Sequence, residues 1–225
     1  MCRWREALGA TLEIAHPILG SSTSPRLCLI GSAATALHGI DVEPGDIDFL
    51  ASEPAIVREF ADIMKGYAQK DRVADRSEMN GRWLSSVEEP ILADAPNPKN
   101  FVWHFGRWLV GGFKVEVANI VPPEGMALGG EAGVWEAGPG VWRFVRLVTF
   151  DEGSIPAVPL ELQLQTNMAR GLEDRVVKIV DYFSKHGYDR DVLGACLSKK
   201  NMDKFRTLLE MHGGAARGEP AAGHL

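Results

Sequence analysis

Leu27-Cys28-Leu29-Ile30-Gly31-Ser32-Ala33-Ala34-Thr35-Ala36-Leu37-His38 and Asp46-Ile47-Asp48-Phe49, with 13 residues between Ser32 and Asp46, decide the fold of this 225-residue chain. The first stretch reads as a short apolar strand that breaks at Gly31-Ser32 into a helix. The second alternates carboxylate and apolar residues, so a strand there turns Asp46 and Asp48 to one face and Ile47 and Phe49 to the other. A helix start carries open backbone N–H groups and attracts phosphate. Two acids side by side on a strand repel each other unless a divalent cation lies between them. A phosphate cradle beside a magnesium site is equipment for handling a nucleoside triphosphate.

These residues resemble the signature of the minimal nucleotidyltransferases of the polymerase-β superfamily: Gly-Ser, a short gap, then Asp-apolar-Asp among apolar residues. The family carries a third carboxylate on a later strand, and Phe113-Lys114-Val115-Glu116-Val117-Ala118-Asn119-Ile120 supplies one in Glu116. The likeness is sharp over residues 27–50 and fair over 113–120. Beyond Pro156 it is looser, with Pro159-Leu160-Glu161 leading into a helical portion that carries Arg175 and Lys178.

The resemblance implies an α/β (α+β) fold, a short mixed sheet flanked by helices, with a C-terminal helical part. It implies that Asp46, Asp48 and Glu116 are catalytic and hold two Mg2+ ions, Mn2+ being the substitute. Gly31 and Ser32 would meet the phosphates, Gly31 because a Cβ would obstruct their approach to the backbone. Arg175 and Lys178 are further candidates for the triphosphate. The implied reaction moves a nucleoside monophosphate from a triphosphate such as ATP to an acceptor hydroxyl, releasing pyrophosphate. Small molecules, proteins and RNA ends all serve as acceptors in the family, and some members work beside an antitoxin or helical partner protein. Two other functions fit the same residues. One is a non-catalytic binding or regulatory protein on this fold. The other is a metal-dependent glycosyltransferase, against which Asp46-Ile47-Asp48 opens its strand rather than closing it.

Composition agrees with a globular protein: 45% of residues are apolar and 24% charged. The net charge of −6 argues against long nucleic acid as a partner. The three cysteines, Cys2, Cys28 and Cys196, show no paired spacing for a disulfide framework or zinc. No apolar run reaches membrane-spanning length, so no membrane partner and a cytoplasmic location are expected.

Elsewhere, residues 3–15 carry a helical apolar stripe, and Ser52-Glu53-Pro54 opens another helix with a cap. Residues 70–100 read as loops. Phe101 to Val121 reads as a β-hairpin turning at Gly111-Gly112. Residues 121–140 hold six glycines and three prolines and read as a surface excursion or lid. His104, among Phe101, Trp103 and Trp108, reads as hairpin packing, while Trp135 and Trp142 are candidates for lining an acceptor pocket. Apolar residues from Leu160 to Phe183 form one long helical stripe, kinked at Gly171 and ended at Gly187. Glu161 and Gln165 fall inside that stripe and need partners. Residues 1–158 are expected to form the core, 159–212 a helical part packed on it, and 213–225 a disordered tail.

Overall fold

The computed structural model describes residues 3–21, 24–73, 81–96, 101–121 and 133–213. The expected disordered tail, apart from Gly213, and the first half of the Gly-rich stretch lie outside the described residues. In chain order the elements are α1 (Arg3–Ala15), β1 (Gly20–Ser21), β2 (Ser24–Pro25), β3 (Leu27–Ile30), α2 (Gly31–Leu37), β4 (Ile47–Ala51), α3 (Pro54–Ile63), β5 (Leu92–Pro96), β6 (Val102–Val110) and β7 (Phe113–Val121). There follow β8 (Arg146–Phe150), β9 (Gly153–Ala157), α4 (Leu160–Arg170), α5 (Glu173–His186), α6 (Arg190–Cys196) and α7 (Lys199–Met211).

β1 and β2 form a small ribbon, and the other seven strands make one mixed sheet in the order β5-β6-β7-β4-β3-β9-β8. The architecture is therefore a central mixed sheet flanked by helices, with a C-terminal helical region. β4 lies at its middle, antiparallel to β3 and parallel to β7. Alternation along these strands separates two faces. One presents Phe49, Trp108, Val115 and Val117 to α1 and α3, where the Phe49, Phe60 and Trp108 rings follow one another in tilted contact at 6.0 and 5.4 Å. The other presents Asp48, Glu116 and Arg107.

The β6–β7 hairpin turns at Gly111 and Gly112, with φ of 58° and 77°. Both values lie where an L side chain is strained, which is why a glycine pair makes this two-residue turn. α3 begins with Pro54 at its first turn, but no side chain caps it. Residues 81–96 hold more order than their polarity predicts. Trp83 is fully buried against Leu92 and Phe105, and Leu92–Pro96 adds an edge strand to the hairpin.

The stripe from Leu160 onward belongs to two helices. The chain turns at Gly171 (φ 69°), where Leu172 N–H donates to the Asn167 carbonyl at 2.9 Å and Gly171 N–H to that of Met168 at 3.3 Å. This paired closure ends α4 and redirects the chain into α5. α5 ends at Gly187. The buried polar groups of α4 are ties between elements. Glu161 Oε1 accepts from the Asp189 N–H at 2.8 Å, and Gln165 Oε1 accepts from Ser198 N–H and Asn201 Nδ2, each at 2.9 Å. Asp189 and Ser198 in turn cap α6 and α7.

Candidate active site

Strand pairing assembles the site. Ile30 of β3, Asp48 of β4, Glu116 of β7 and Arg107 of β6 sit opposite one another in a single row across four neighbouring strands. Gly31 follows Ile30 directly and opens α2. Asp46 precedes β4 by one residue and turns back toward Asp48. One carboxylate oxygen from each of Asp46, Asp48 and Glu116 lies within 4.8 Å of the other two. Two oxygens sharing one Ca2+ sit up to about 5 Å apart and two sharing one Mg2+ up to about 4.2 Å, so this all-oxygen set is of the kind and near the spacing that a hard divalent cation takes, the side chains drawing in for the smaller ion.

The electrostatics point the same way. Burial, and then repulsion from Asp46, Glu116 and Glu136, hold the Asp48 carboxyl well above its ordinary 3.8, while Arg170 opposes the shift. Burial also raises Glu116, against the pull of Arg107 and with a further push from Asp46. The site carries more acid than its own cations neutralise, and a divalent ion relieves that imbalance.

Gly31 has φ of 66°, and a Cβ placed on it would come 2.6 Å from Asp48 Oδ2. A glycine is needed there for the acid as well as for the turn. Ser32 is buried one residue further along α2.

Three residues join the site that the motifs alone do not disclose. Arg107, itself buried, donates through Nε to Glu116 Oε1 at 2.6 Å and through Nη1 to the Trp83 carbonyl at 3.3 Å. It fixes the third carboxylate from the far side. Glu136 is buried, and its Oε2 accepts from the Gly31 N–H at 3.2 Å and from Gln163 Nε2 of α4 at 2.8 Å. Burial raises its pKa, while those two donors and the charges of Arg170 and Arg175 restrain the rise. Arg170 closes α4 and lines the same cavity as Asp48, Glu116 and Glu136. The alternation of β6 marks Arg107 as sharing a face with Trp103 and Phe105, a signal present in the sequence. Glu136 has no such signal.

The described half of the Gly-rich stretch therefore packs inward, in contrast to the expected surface excursion. Val134 and Val141 are buried with Glu136. Of the two cations expected from the helical part, Arg175 acts on Glu136 through its charge, and the Lys178 ammonium donates to the Asp41 carbonyl. Neither lines the cavity. His38 is a packed residue, bonded at 2.9 Å to the Val158 carbonyl and kept neutral by burial.

No protein-family model matches the chain, and no curated protein sequence does. Among solved structures, a Thermotoga maritima protein described as a "putative nucleotidyltransferase" is similar at 19% identity and a TM-score of 0.47, over 80% of this chain and 94% of that one. Among the described residues, no helix is long and apolar enough to cross a membrane.

Proposed function

We propose that this chain is a divalent-metal-dependent nucleotidyltransferase that moves a nucleoside monophosphate from a triphosphate to an acceptor hydroxyl. The observation that carries this is the convergence of Asp46, Asp48 and Glu116 beside the Gly31 turn. Asp46, Asp48 and Glu116 hold the metal, with two Mg2+ ions, or Mn2+ in their place, completing the site. Bound there, the metal supplies neutralisation of charge on the reacting phosphoryl group.

The chain's own groups position the substrates. The Gly31 and Ser32 backbone meets the outer phosphates, and Arg170 offers a cation from the cavity wall, with Arg175 and a released Lys178 as further cations. Arg107 holds Glu116 in one orientation, so the third carboxylate needs no rearrangement when substrate arrives. The acceptor oxygen forms a bond to the α-phosphorus as the bond to the bridging oxygen breaks. Pyrophosphate leaves with that electron pair, and the hydroxyl proton passes to water.

A second reading rests on Glu136, whose carboxylate takes the Gly31 N–H that a phosphate would use. Were that contact permanent, the chain would be a non-catalytic binding protein. Titration calorimetry with each ribonucleoside triphosphate in Mg2+, on wild type and on an Asp46→Ala, Asp48→Ala double variant, tests both. Magnesium-dependent binding lost in the variant supports the enzyme. No binding in either protein supports the second reading.

A further inference from the structure

A cavity of about 300 Å³ opens beside Asp48 and Glu116, and among the described residues one wall of it is built from uncharged side chains. Along β7 the residues on the site face after Glu116 are Ala118 and Ile120. Opposite them on β6 stand Phe105 and Trp103, paired in register. Trp135 closes over this wall, its ring 6.1 Å from that of Trp103 and 5.5 Å from that of Phe101. Trp135 nevertheless remains 40% exposed, a large aromatic side chain left partly open at the mouth of an apolar hollow. The charged groups at the near end are Asp48, Glu116, Glu136 and Arg170.

The location decides which substrate this wall serves. In the row Ile30, Asp48, Glu116, Arg107, the Gly31 turn lies on the β3 side of Asp48 and the apolar wall on the β7–β6 side. In-line displacement puts the attacking hydroxyl opposite the leaving pyrophosphate. With the outer phosphates at Gly31, the hydroxyl comes from across Glu116, from the wall.

We infer that the Trp103, Phe105, Ala118, Ile120 and Trp135 wall is the acceptor pocket, and that the acceptor is a small molecule whose hydroxyl is carried on a planar ring without negative charge. Flat rings gain from aromatic faces. The carboxylates at the near end repel an anionic acceptor, and among the described residues Arg170 at that same end is the one cation lining the cavity, with none on the aromatic wall to hold a phosphate backbone. This assignment rests on the nucleotidyltransferase reading for its chemistry, but the pocket's preference is measurable without turnover.

The test is a ligand-observed NMR titration with three ring alcohols or phenols of graded charge: tyrosol, tyramine and 4-hydroxyphenylacetate. Glycerol serves as the ringless control, and each probe is run with and without Mg2+ and ATP. Tyrosol and tyramine are expected to bind about tenfold or more tighter than 4-hydroxyphenylacetate and glycerol, the scale set by one unfavourable charge contact. Ala118→Phe, which fills the hollow, and Trp135→Ala, at its exposed mouth, should each weaken tyrosol at least fivefold and leave Mg2+·ATP binding unchanged. Two variants keep the outcome decisive if one fails to fold. Equal binding of all four probes, or tyrosol binding indifferent to both substitutions, overturns the assignment. So does loss of Mg2+·ATP binding in Ala118→Phe with Mg2+·tripolyphosphate binding retained, which would give the wall to the nucleobase. Ring binding that persists while Mg2+·ATP fails to bind wild type would sink the transferase reading and leave the pocket standing.

Discussion

Replacing Gly31 with alanine separates the two demands made on that residue. At φ of 66° an alanine is strained by about 1–2 kcal/mol, which appears as lost stability. The new Cβ also meets Asp48 Oδ2 at 2.6 Å, which no carbon–oxygen contact tolerates, so the carboxylate must retreat by roughly half an ångström. Metal sites hold their ligand distances to about 0.2 Å, so that retreat exceeds what a bound ion accepts. The expected loss is about 10- to 100-fold in metal affinity, the range seen when a ligand's supporting contact is removed. Mn2+ binding followed by electron paramagnetic resonance measures it, with urea unfolding alongside. Gly171→Ala supplies the control, because its φ is 69° and its Cβ would meet nothing within 4 Å. That variant should lose similar stability and bind Mn2+ as wild type does. If Gly31→Ala behaves like Gly171→Ala in the Mn2+ titration, Asp48 is not held where the close approach requires, and the reasoning fails.

Three further outcomes are expected. Arg107→Ala leaves Glu116 buried without its cation and should cost about 3 kcal/mol in urea unfolding, with Glu116→Gln in the same background recovering part of it. Burial and neighbouring acids raise the folded-state pKa of Asp48, so its contribution to stability is present at low pH and is lost as pH rises from about 3.8. Metal-free Asp48→Asn should therefore be more stable than wild type at pH 7 by about 1 kcal/mol, the gap closing below pH 4 and reversing in saturating Mg2+. Gln165→Ala removes the acceptor for Ser198 N–H and Asn201 Nδ2 and should cost about 1–3 kcal/mol with Mn2+ affinity intact, by thermal unfolding and titration together.

Local sequence disclosed those parts of the molecule whose causes are local. The Gly111-Gly112 pair specifies its own turn, and the alternation on either side specifies the strands it joins. The Leu27–Ile30 strand and the strand of Asp48 are legible for the same reason, although that strand begins at Ile47 and leaves Asp46 just before it. The division of α4 from α5 was harder to see, because the apolar stripe continues in phase through Gly171 and only the backbone conformation there breaks the helix. Trp83 and β5 hid in a polar stretch because their burial depends on Phe105, on a strand beyond them. Strand alternation places Arg107 on the site face, but its pairing with Glu116 depends on β7, and Glu136 is specified only by what it touches, the Gly31 amide and Gln163.

The row across β3, β4, β7 and β6 also has a kinetic meaning. Its members are brought together by pairings that reach from residue 30 to 48 and from 48 to 116, with 107 opposite 116 across the hairpin. The hairpin can close early, since its strands are adjacent, but the long-range pairings must wait for distant segments to meet. Asp48 belongs to the middle strand, so no fraying edge can carry it away while the rest persists. Until β4 and β7 pair, Glu116 stands apart from Asp46 and Asp48, and a cation finds two of its three carboxylates at most.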